Sequence, residues 1–261
     1  MAPLKNFPLY KTPTSNIVGY QQTNIPNGWS FKTVTFKNVS GATFDLTDIA
    51  TFQGSGEPWG ATGASRCLGN ITIQKITVDG SYGTAYKYYS TSTNGELDGW
   101  QIGSKTAKVA KGEVTFAAGE GMIIFCNKST GAKFQFSGEV ELSDTTAVIP
   151  NGWAFSGNCT PVAVDLTEIG TLQGTGAAWG TTGASRCLGN ITIQKITVDG
   201  SYGTAYKYYS TSTNGELDGW QVGSKTAKVA KGDVVFEPGE GFIVYCNKTT
   251  GAQLVFPKPV K

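Results

Sequence analysis

The chain has 261 residues, of which 39% are hydrophobic and 15% are charged, and it contains 35 glycines and no histidine. A net charge of +2, without a run of basic residues, excludes a nucleic-acid partner held by a strong positive field. Without histidine the chain lacks the commonest general base and metal ligand, and no GxSxG, P-loop or HExxH motif is present. We therefore expect no enzyme, no cofactor and no metal site.

One long segment of the chain occurs twice. Residues 62–101 recur without a single change at residues 182–221, and the similarity then continues through Phe136 and Phe256. A period of this length is too long for a solenoid repeat. It indicates a whole small domain that has been copied in tandem.

The chain divides into three predicted parts. Residues 1–16 contain three prolines and no hydrophobic periodicity, which predicts an extended N-terminal arm. The first repeat is predicted over 17–141 and the second over 142–261. Each is long enough to form its own hydrophobic core.

The predicted elements follow the same order in both repeats. A first strand leads to a PNGW turn, a second strand, a DLT motif, a Gly-rich loop and the strand GNITIQ. The turn DGSYG, the strand YKYY, the pair GW and a GEG turn before an apolar strand complete the pattern. Short apolar runs with turn signals at intervals of roughly 8–12 residues are typical of β-sandwiches. The sequence therefore predicts an all-β protein of two tandem, sequence-similar, jelly-roll-like β-sandwich domains.

The five cysteines allow two interpretations. Cys67 with Cys126, and Cys187 with Cys246, could each form a disulfide that closes a loop of about 60 residues. Alternatively they are buried free thiols, since Cys126 and Cys246 lie inside apolar strands. The unpaired Cys159 favours free thiols, but the sequence leaves the choice open.

The two arginines, Arg66 and Arg186, occupy the same position in each repeat, inside a Gly-rich loop. A guanidinium group offers a fixed fork of hydrogen-bond donors to carboxylates or carbonyls. We predict that both arginines are structural pins of this loop, with contact to a ligand as the alternative.

Four aromatic residues are candidates for sugar binding. Trp59 and Trp179 lie in the Gly-rich loops, and Tyr82 and Tyr202 lie at hairpin tips. Exposed aromatic rings can stack on the apolar faces of sugars. The alternative for the tryptophans is packing in the core, which we expect for Trp29, Trp100 and the YKYY tyrosines.

The predicted arm carries four apolar residues, Leu4, Phe7, Leu9 and Tyr10. We expect them to contact a neighbouring subunit by strand addition or in a groove between domains, and folding back over the same repeat is the alternative. The sequence thus favours a non-enzymatic structural subunit that self-associates into a surface layer, appendage or virion component. The alternative is a carbohydrate-binding module with one aromatic site per repeat, for which glycans would be the partner.

The expected location is extracellular, at a cell surface or in a virion. No apolar run approaches the roughly 18 residues of a membrane-spanning helix, which predicts that the chain does not insert into a membrane. No signal peptide is visible before the first repeat.

The order IVGY, PNGW, DLTDI, GNITIQ, YKYY, DGW and GEGMIIF resembles a short tandem β-domain of uncharacterised bacterial secreted or surface proteins. The resemblance covers both repeats, and its motifs are turn and core residues without assigned chemistry. It implies a β-fold and an exported protein.

Overall fold

The computed structural model describes residues 18–36, 43–90, 98–103, 107–210, 218–223 and 227–259. The predicted arm over 1–16, with Leu4, Phe7, Leu9 and Tyr10, lies outside the described residues. Within these ranges the chain forms strands and four single-turn 3-10 helices, which confirms the predicted all-β class. In this part of the chain we find no helix with the length and apolarity to cross a membrane.

The strands of the first repeat are β1 (Val18–Ile25), β2 (Gly28–Thr33), β3 (Thr43–Asp45), β4 (Ala50–Gln53), β5 (Leu68–Gln74), β6 (Tyr86–Tyr89), β7 (Gly99–Ile102), β8 (Ala107–Lys108), β9 (Thr115–Ala117), β10 (Gly121–Cys126) and β11 (Ala132–Glu139). Those of the second repeat are β12 (Thr145–Ile149), β13 (Gly152–Gly157), β14 (Val164–Asp165), β15 (Gly170–Gln173), β16 (Leu188–Ile196), β17 (Tyr202–Tyr209), β18 (Gly219–Val222), β19 (Ala227–Lys228), β20 (Val235–Phe236), β21 (Gly241–Cys246) and β22 (Ala252–Phe256). The 3-10 helices are Leu46–Asp48, Gly63–Ser65, Leu166–Glu168 and Gly183–Ser185.

Each repeat contains the same three antiparallel sheets. In the first repeat their strand orders are β1-β11-β4, β2-β10-β5-β6-β7-β8 and β3-β9. In the second they are β12-β22-β15, β13-β21-β16-β17-β18-β19 and β14-β20. The four larger sheets are arranged like the blades of a four-bladed propeller. The finer prediction of two jelly-roll-like sandwiches stays a prediction.

A separate hydrophobic core lies within each repeat. Along β11, Ala132, Phe134 and Phe136 are buried, whereas Lys133 and Gln135 between them are partly exposed. This alternation buries one face of the three-stranded sheet against residues of the six-stranded sheet, such as Ile71, Ile73 and Ile124 in the first repeat. The second repeat has the matching cluster, and Trp100 and Trp220 are buried in the two cores as expected.

All five cysteines are buried free thiols. Burial raises the pKa of Cys67 and Cys187 to about 11 and that of Cys159 to about 12. The structure therefore agrees with the interpretation of the cysteines as buried free thiols and not as two disulfides.

A third hydrophobic cluster joins the two repeats. Its buried members are Phe31 and Ile123 from the first repeat and Phe155 and Ile243 from the second. The rings of Phe31 and Phe155 meet edge to face, with centroids 4.8 Å apart. Trp29 and Trp153 are partly buried against this cluster. The expectation that Trp29 fills a sandwich core was therefore wrong, because its turn packs at the boundary with the other repeat.

Two glycines allow the backbones to approach at this boundary. A Cβ atom on Gly121 would lie 2.9 Å from Phe155 Cβ and 3.0 Å from Ser156 N. In the second repeat, a Cβ atom on Gly241 would lie 2.8 Å from Lys32 N. Each glycine thus lets its strand press against the backbone of the other repeat. The two repeats are packed as one unit through these contacts.

Candidate functional site: two grooves at the repeat boundary

Each repeat contacts the other through the tip of a hairpin. The carbonyl of Val78, in the first repeat, accepts a hydrogen bond of 3.0 Å from the backbone N–H of Trp153. The carbonyl of Val198 accepts the matching bond of 3.0 Å from Trp29. Because these hairpins belong to the identical segments, the two repeats hold each other through a pair of reciprocal contacts.

An aspartate shapes each hairpin tip. Asp79 Oδ1 accepts hydrogen bonds from the Thr77 hydroxyl, from the Ser81 hydroxyl at 2.7 Å and from the Ser81 backbone at 3.0 Å. These bonds favour the charged carboxylate and lower the pKa of Asp79 to about 2. Asp199 has the same partners in the second repeat, and its pKa is also lowered to about 2.

A lysine fixes the turn beside each hairpin. Lys75 Nζ lies 2.8 Å from Glu120 Oε1, donates to the Thr115 carbonyl at 2.7 Å and sits 4.6 Å from the centroid of the Phe116 ring. Lys195 repeats this arrangement, with Glu240 Oε1 at 2.7 Å. With all these contacts satisfied within the protein, the ion pairs position the turns before β10 and β21.

One groove between the repeats has a volume of about 560 Å³ and is lined mainly by apolar side chains. The first repeat contributes Ile76, Val78 and Ala117, while the second contributes Val148, Pro150 and Trp153. We call this the apolar groove. Val148 is 72% exposed, the largest value for any large hydrophobic side chain in the described ranges.

The internal symmetry places a second groove, of about 460 Å³, where β1 meets the turn before β21. Gln22 and Asn24 stand where the apolar groove has Thr146 and Val148, and Glu237 and Pro238 stand where it has two alanines. We call this the polar groove. A hydrogen bond of 2.6 Å from Gln21 Nε2 to the Pro238 carbonyl joins β1 to the turn on the other side of this groove.

The difference continues onto the outer faces of the three-stranded sheets. On β12-β22-β15, one row of neighbouring residues is Val148, Gln253 and Leu172, and the next contains Thr146 and Val255. The matching rows on β1-β11-β4 are first Asn24, Lys133 and Phe52, then Gln22, Gln135 and Ala50. In these two rows the second repeat is the more apolar and lacks the lysine of the first, whereas further along β1 the first repeat exposes Val18 at 67% and Tyr20 at 61%.

The predicted glycan residues lie in two different environments. Trp59 is half-buried against the core of its own repeat, and its Nε1 donates to Thr51 Oγ1 at 3.2 Å. Tyr82 is 57% exposed and stacks on Trp29 at the repeat boundary, with centroids 6.3 Å apart and ring planes 15° apart. Within the described ranges, no hydrogen bond or ring contact joins Trp59 to Tyr82.

In the second repeat the copy of Trp59 is placed in a similar way. Trp179 is half-buried against its own core and donates to Thr171 Oγ1 at 2.9 Å. Tyr202 is 58% exposed. Their predicted role in sugar binding stays a prediction.

A lysine that was not among the predicted site residues holds each Gly-rich loop. Lys128 Nζ donates to the Ala64 carbonyl at 2.9 Å and to the Arg66 carbonyl, and it lies 5.5 Å from the centroid of the Trp59 ring. Lys248 makes the same contacts in the second repeat. The available signal was a lysine at the same position of an NK(S/T)TG turn in both repeats.

The arginines of this loop are half-buried in both repeats. The backbone N–H of Arg66 bonds to the Gly63 carbonyl at 3.3 Å, and Arg186 makes the same bond to Gly183. The proposed role of the two guanidinium groups as pins stays a prediction. Among the described residues, no group of three or more histidine, cysteine or acidic side chains is placed to hold a metal ion.

Comparisons with known proteins give no family for the chain. No family model matches it, and no curated protein matches it. An alignment with the crystal structure of a lamprey immune protein covers 91% of this chain and 83% of that chain, at 11% identity and a TM-score of 0.13. A likeness at this level carries no argument about fold or function.

Proposed function

We propose that this chain is a non-enzymatic structural subunit that self-associates, through its N-terminal arm, into an extracellular or particle-like assembly. A surface layer, an appendage or a virion would be such an assembly. In this proposal each repeat is a jelly-roll-like sandwich, a reading supported by the three-stranded and six-stranded sheets that share one core in each repeat.

One observation carries the proposal. The outer face of β12-β22-β15 and the adjoining apolar groove expose Val148, at 72%, where the first repeat has Asn24. Since the same scaffold exists with a polar residue at this position, the fold itself does not require the exposed valine. Exposed apolar surface of this kind is typical of a protein–protein contact.

The proposal is tested on the full chain and on a chain that lacks residues 2–15. Size-exclusion chromatography with light scattering and negative-stain electron microscopy should find an oligomer or polymer of the full chain. The shortened chain should be monomeric and melt within a few degrees of the full chain, because both cores lie outside the deleted residues. A full chain that stays monomeric at high concentration would refute the proposal.

A second candidate function is carbohydrate binding with one site per repeat. The observation that favours it is the exposed Tyr82 ring stacked on Trp29, since paired aromatic rings offer a flat apolar surface to a sugar. A glycan array would test it, with Tyr82→Ala plus Tyr202→Ala and, separately, Trp59→Ala plus Trp179→Ala as variants. If the chain binds carbohydrate at these residues, the native chain should bind glycans on the array and each double substitution should abolish that binding. An array on which the native chain binds nothing would refute this function.

A further inference from the structure

We infer that the apolar groove is the acceptor for residues 3–10 of the N-terminal arm of a neighbouring copy of the chain. This inference rests on the proposed function and specifies the surfaces that meet. It predicts that the arm binds at one of the two related grooves and not at the other.

The two grooves differ in the chemistry of their linings. Both are formed by an edge strand of one repeat and the turn before an apolar strand of the other. In the apolar groove the turn contributes Ala117 and Ala118, whereas in the polar groove it contributes Glu237 and Pro238. The polar groove also contains the aromatic residues Tyr20 and Phe36, but its turn places a carboxylate where the apolar groove has a methyl group. The apolar groove would therefore gain more from covering by apolar side chains.

In the apolar groove, β12 is an edge strand. It pairs with β22 on one side, and in the described sheet no strand pairs with its other side. Its residues Thr146 and Val148 point outward into the groove, while Ala147 and Ile149 point into the core. An extended segment could therefore gain both backbone hydrogen bonds and contacts with exposed side chains here.

The composition of the arm suits binding as an extended chain in such a groove. Its sequence APLKNFPL alternates prolines with Leu4, Phe7 and Leu9, and Pro-rich segments bind as extended chains in grooves lined by aromatic residues. The groove supplies Trp153 and Phe155, together with aliphatic residues. A pre-extended segment loses less conformational entropy when it binds.

The charges are complementary as well. The arm contains Lys5 and Lys11 and no acidic residue. The chain that leads into β12 carries Glu139, Glu141 and Asp144. The linings themselves do not add to this, because each groove has one lysine and one glutamate, Lys75 with Glu120 in the apolar groove and Lys32 with Glu237 in the polar groove.

The length of the arm is sufficient. The seven residues 11–17, between the proposed binding segment and the start of β1, can span up to roughly 25 Å when extended. The eight residues 3–10 can cover roughly 27 Å as a strand, more than the roughly 17 Å of the five-residue β12. The arm can therefore leave its own repeat and still cover the groove of a neighbour.

Disulfide trapping between two variants tests the inference. One chain carries Leu9→Cys and the other Val148→Cys, and the two are mixed and oxidised. The buried native thiols, with the pKa of Cys67 raised to about 11 and that of Cys159 to about 12, should not compete. We expect a covalent dimer of the two variants on a non-reducing gel.

The matched control replaces Val148→Cys by Asn24→Cys, which puts the thiol at the same place in the polar groove. We expect at least about tenfold less cross-linking for this pair than for the first. Equal cross-linking in both pairs would overturn the inference, because the arm would then not distinguish the grooves.

Further outcomes separate this inference from the proposed function. If the full chain assembles and the arm is required, but Leu9→Cys and Val148→Cys never cross-link, the acceptor is elsewhere and only the inference fails. If the cross-link forms only within a chain carrying both substitutions, the arm binds its own repeat and the inference also fails. If the full chain never assembles, the proposed function fails first. A second test needs no added cysteines. Val148→Asn should weaken assembly about tenfold and leave the melting temperature unchanged, whereas Asn24→Gln should change neither assembly nor the melting temperature.

Discussion

The apolar and polar grooves occupy equivalent places in one duplicated scaffold, yet their linings differ in chemistry. The hairpins that hold the repeats together come from the segment that is identical in both copies. The differences lie in β1 against β12 and in the turns at 117–118 against 237–238. The duplicated segment thus provides the common frame, and the edge strands decide what each groove can bind.

The largest effect is expected from breaking the boundary that both grooves share. Phe155→Ala removes a ring that is 5% exposed and packs on Phe31, and it should destabilise the protein by about 4 kcal/mol. Phe31→Ala should have a similar effect because of the internal symmetry. Chemical denaturation followed by circular dichroism measures both.

The control for these substitutions is Val148→Ala, at the most exposed of the large hydrophobic positions. It should change the free energy of unfolding by less than about 0.5 kcal/mol. A loss below about 1 kcal/mol for either phenylalanine variant would contradict a tightly packed boundary.

A smaller loss of stability is expected from exchanging two buried residues, Asn158 and Val34, that occupy equivalent positions in the two repeats. Asn158 follows β13 where Val34 follows β2, and both side chains are buried. The Asn158 amide donates to the carbonyls of Val162 at 2.7 Å and Phe236 at 3.0 Å, and its Oδ1 accepts from Thr160 N at 2.9 Å. Asn158→Val would leave these buried groups without partners and should cost about 2 kcal/mol.

The reciprocal substitution completes this test. Val34→Asn would bury an amide in the apolar core of the first repeat and should cost about as much. Thermal denaturation of both variants beside the native chain is the measurement. If Asn158→Val were neutral, the network around Asn158 would not be what holds the segment beside Pro161 in place.

The repeated, all-β organisation could be predicted from the sequence, because alternating apolar residues and turn glycines determine strands and turns within a few residues of themselves. The prediction for Trp100 was correct, because Gly99 and Trp100 begin the strand β7 and the Trp100 side chain lies in the core of the first repeat. The prediction for Trp29 was wrong, because nothing within a single repeat indicates that a second copy will cover its turn. A signal was present in β10, where Met122 and Ile124 face the core and Ile123 between them faces the other repeat. A continuous apolar run indicates a strand buried on both faces.

The grooves could not be predicted for a related reason. Val148 and Asn24 are ordinary alternating residues on edge strands, and their sequence neighbours do not reveal which turn will lie opposite. That turn comes from the other repeat, so the contact depends on how the two copies pack. Alignment of the two PNGW turns shows that Val148 replaces Asn24, but only the folded chain shows that both positions line a groove between the repeats.

The smallest expected effect is a loss of stability at low pH, and its measurement tests whether the two hairpin tips have the same structure. Asp79 and Asp199 have a pKa near 2, because hydrogen bonds from neighbouring threonine and serine groups favour the charged carboxylate. An unfolded aspartate has a pKa of about 3.9, so the unfolded chain binds protons first as the pH falls. The contribution of both carboxylates to stability is therefore complete above about pH 4 and is lost as the pH falls towards 2.

Nuclear magnetic resonance titration of the side-chain carboxyl carbons measures this directly. Both resonances should titrate together near pH 2, since the hydrogen-bond partners of the two residues are the same. In Thr77→Val, which removes the hydroxyl donor to Asp79, the pKa of Asp79 should rise towards its ordinary value while that of Asp199 stays near 2. Because Val78 and Val198 hold the boundary from these tips, unequal titration in the native chain would mean that the shared frame itself differs between the two grooves.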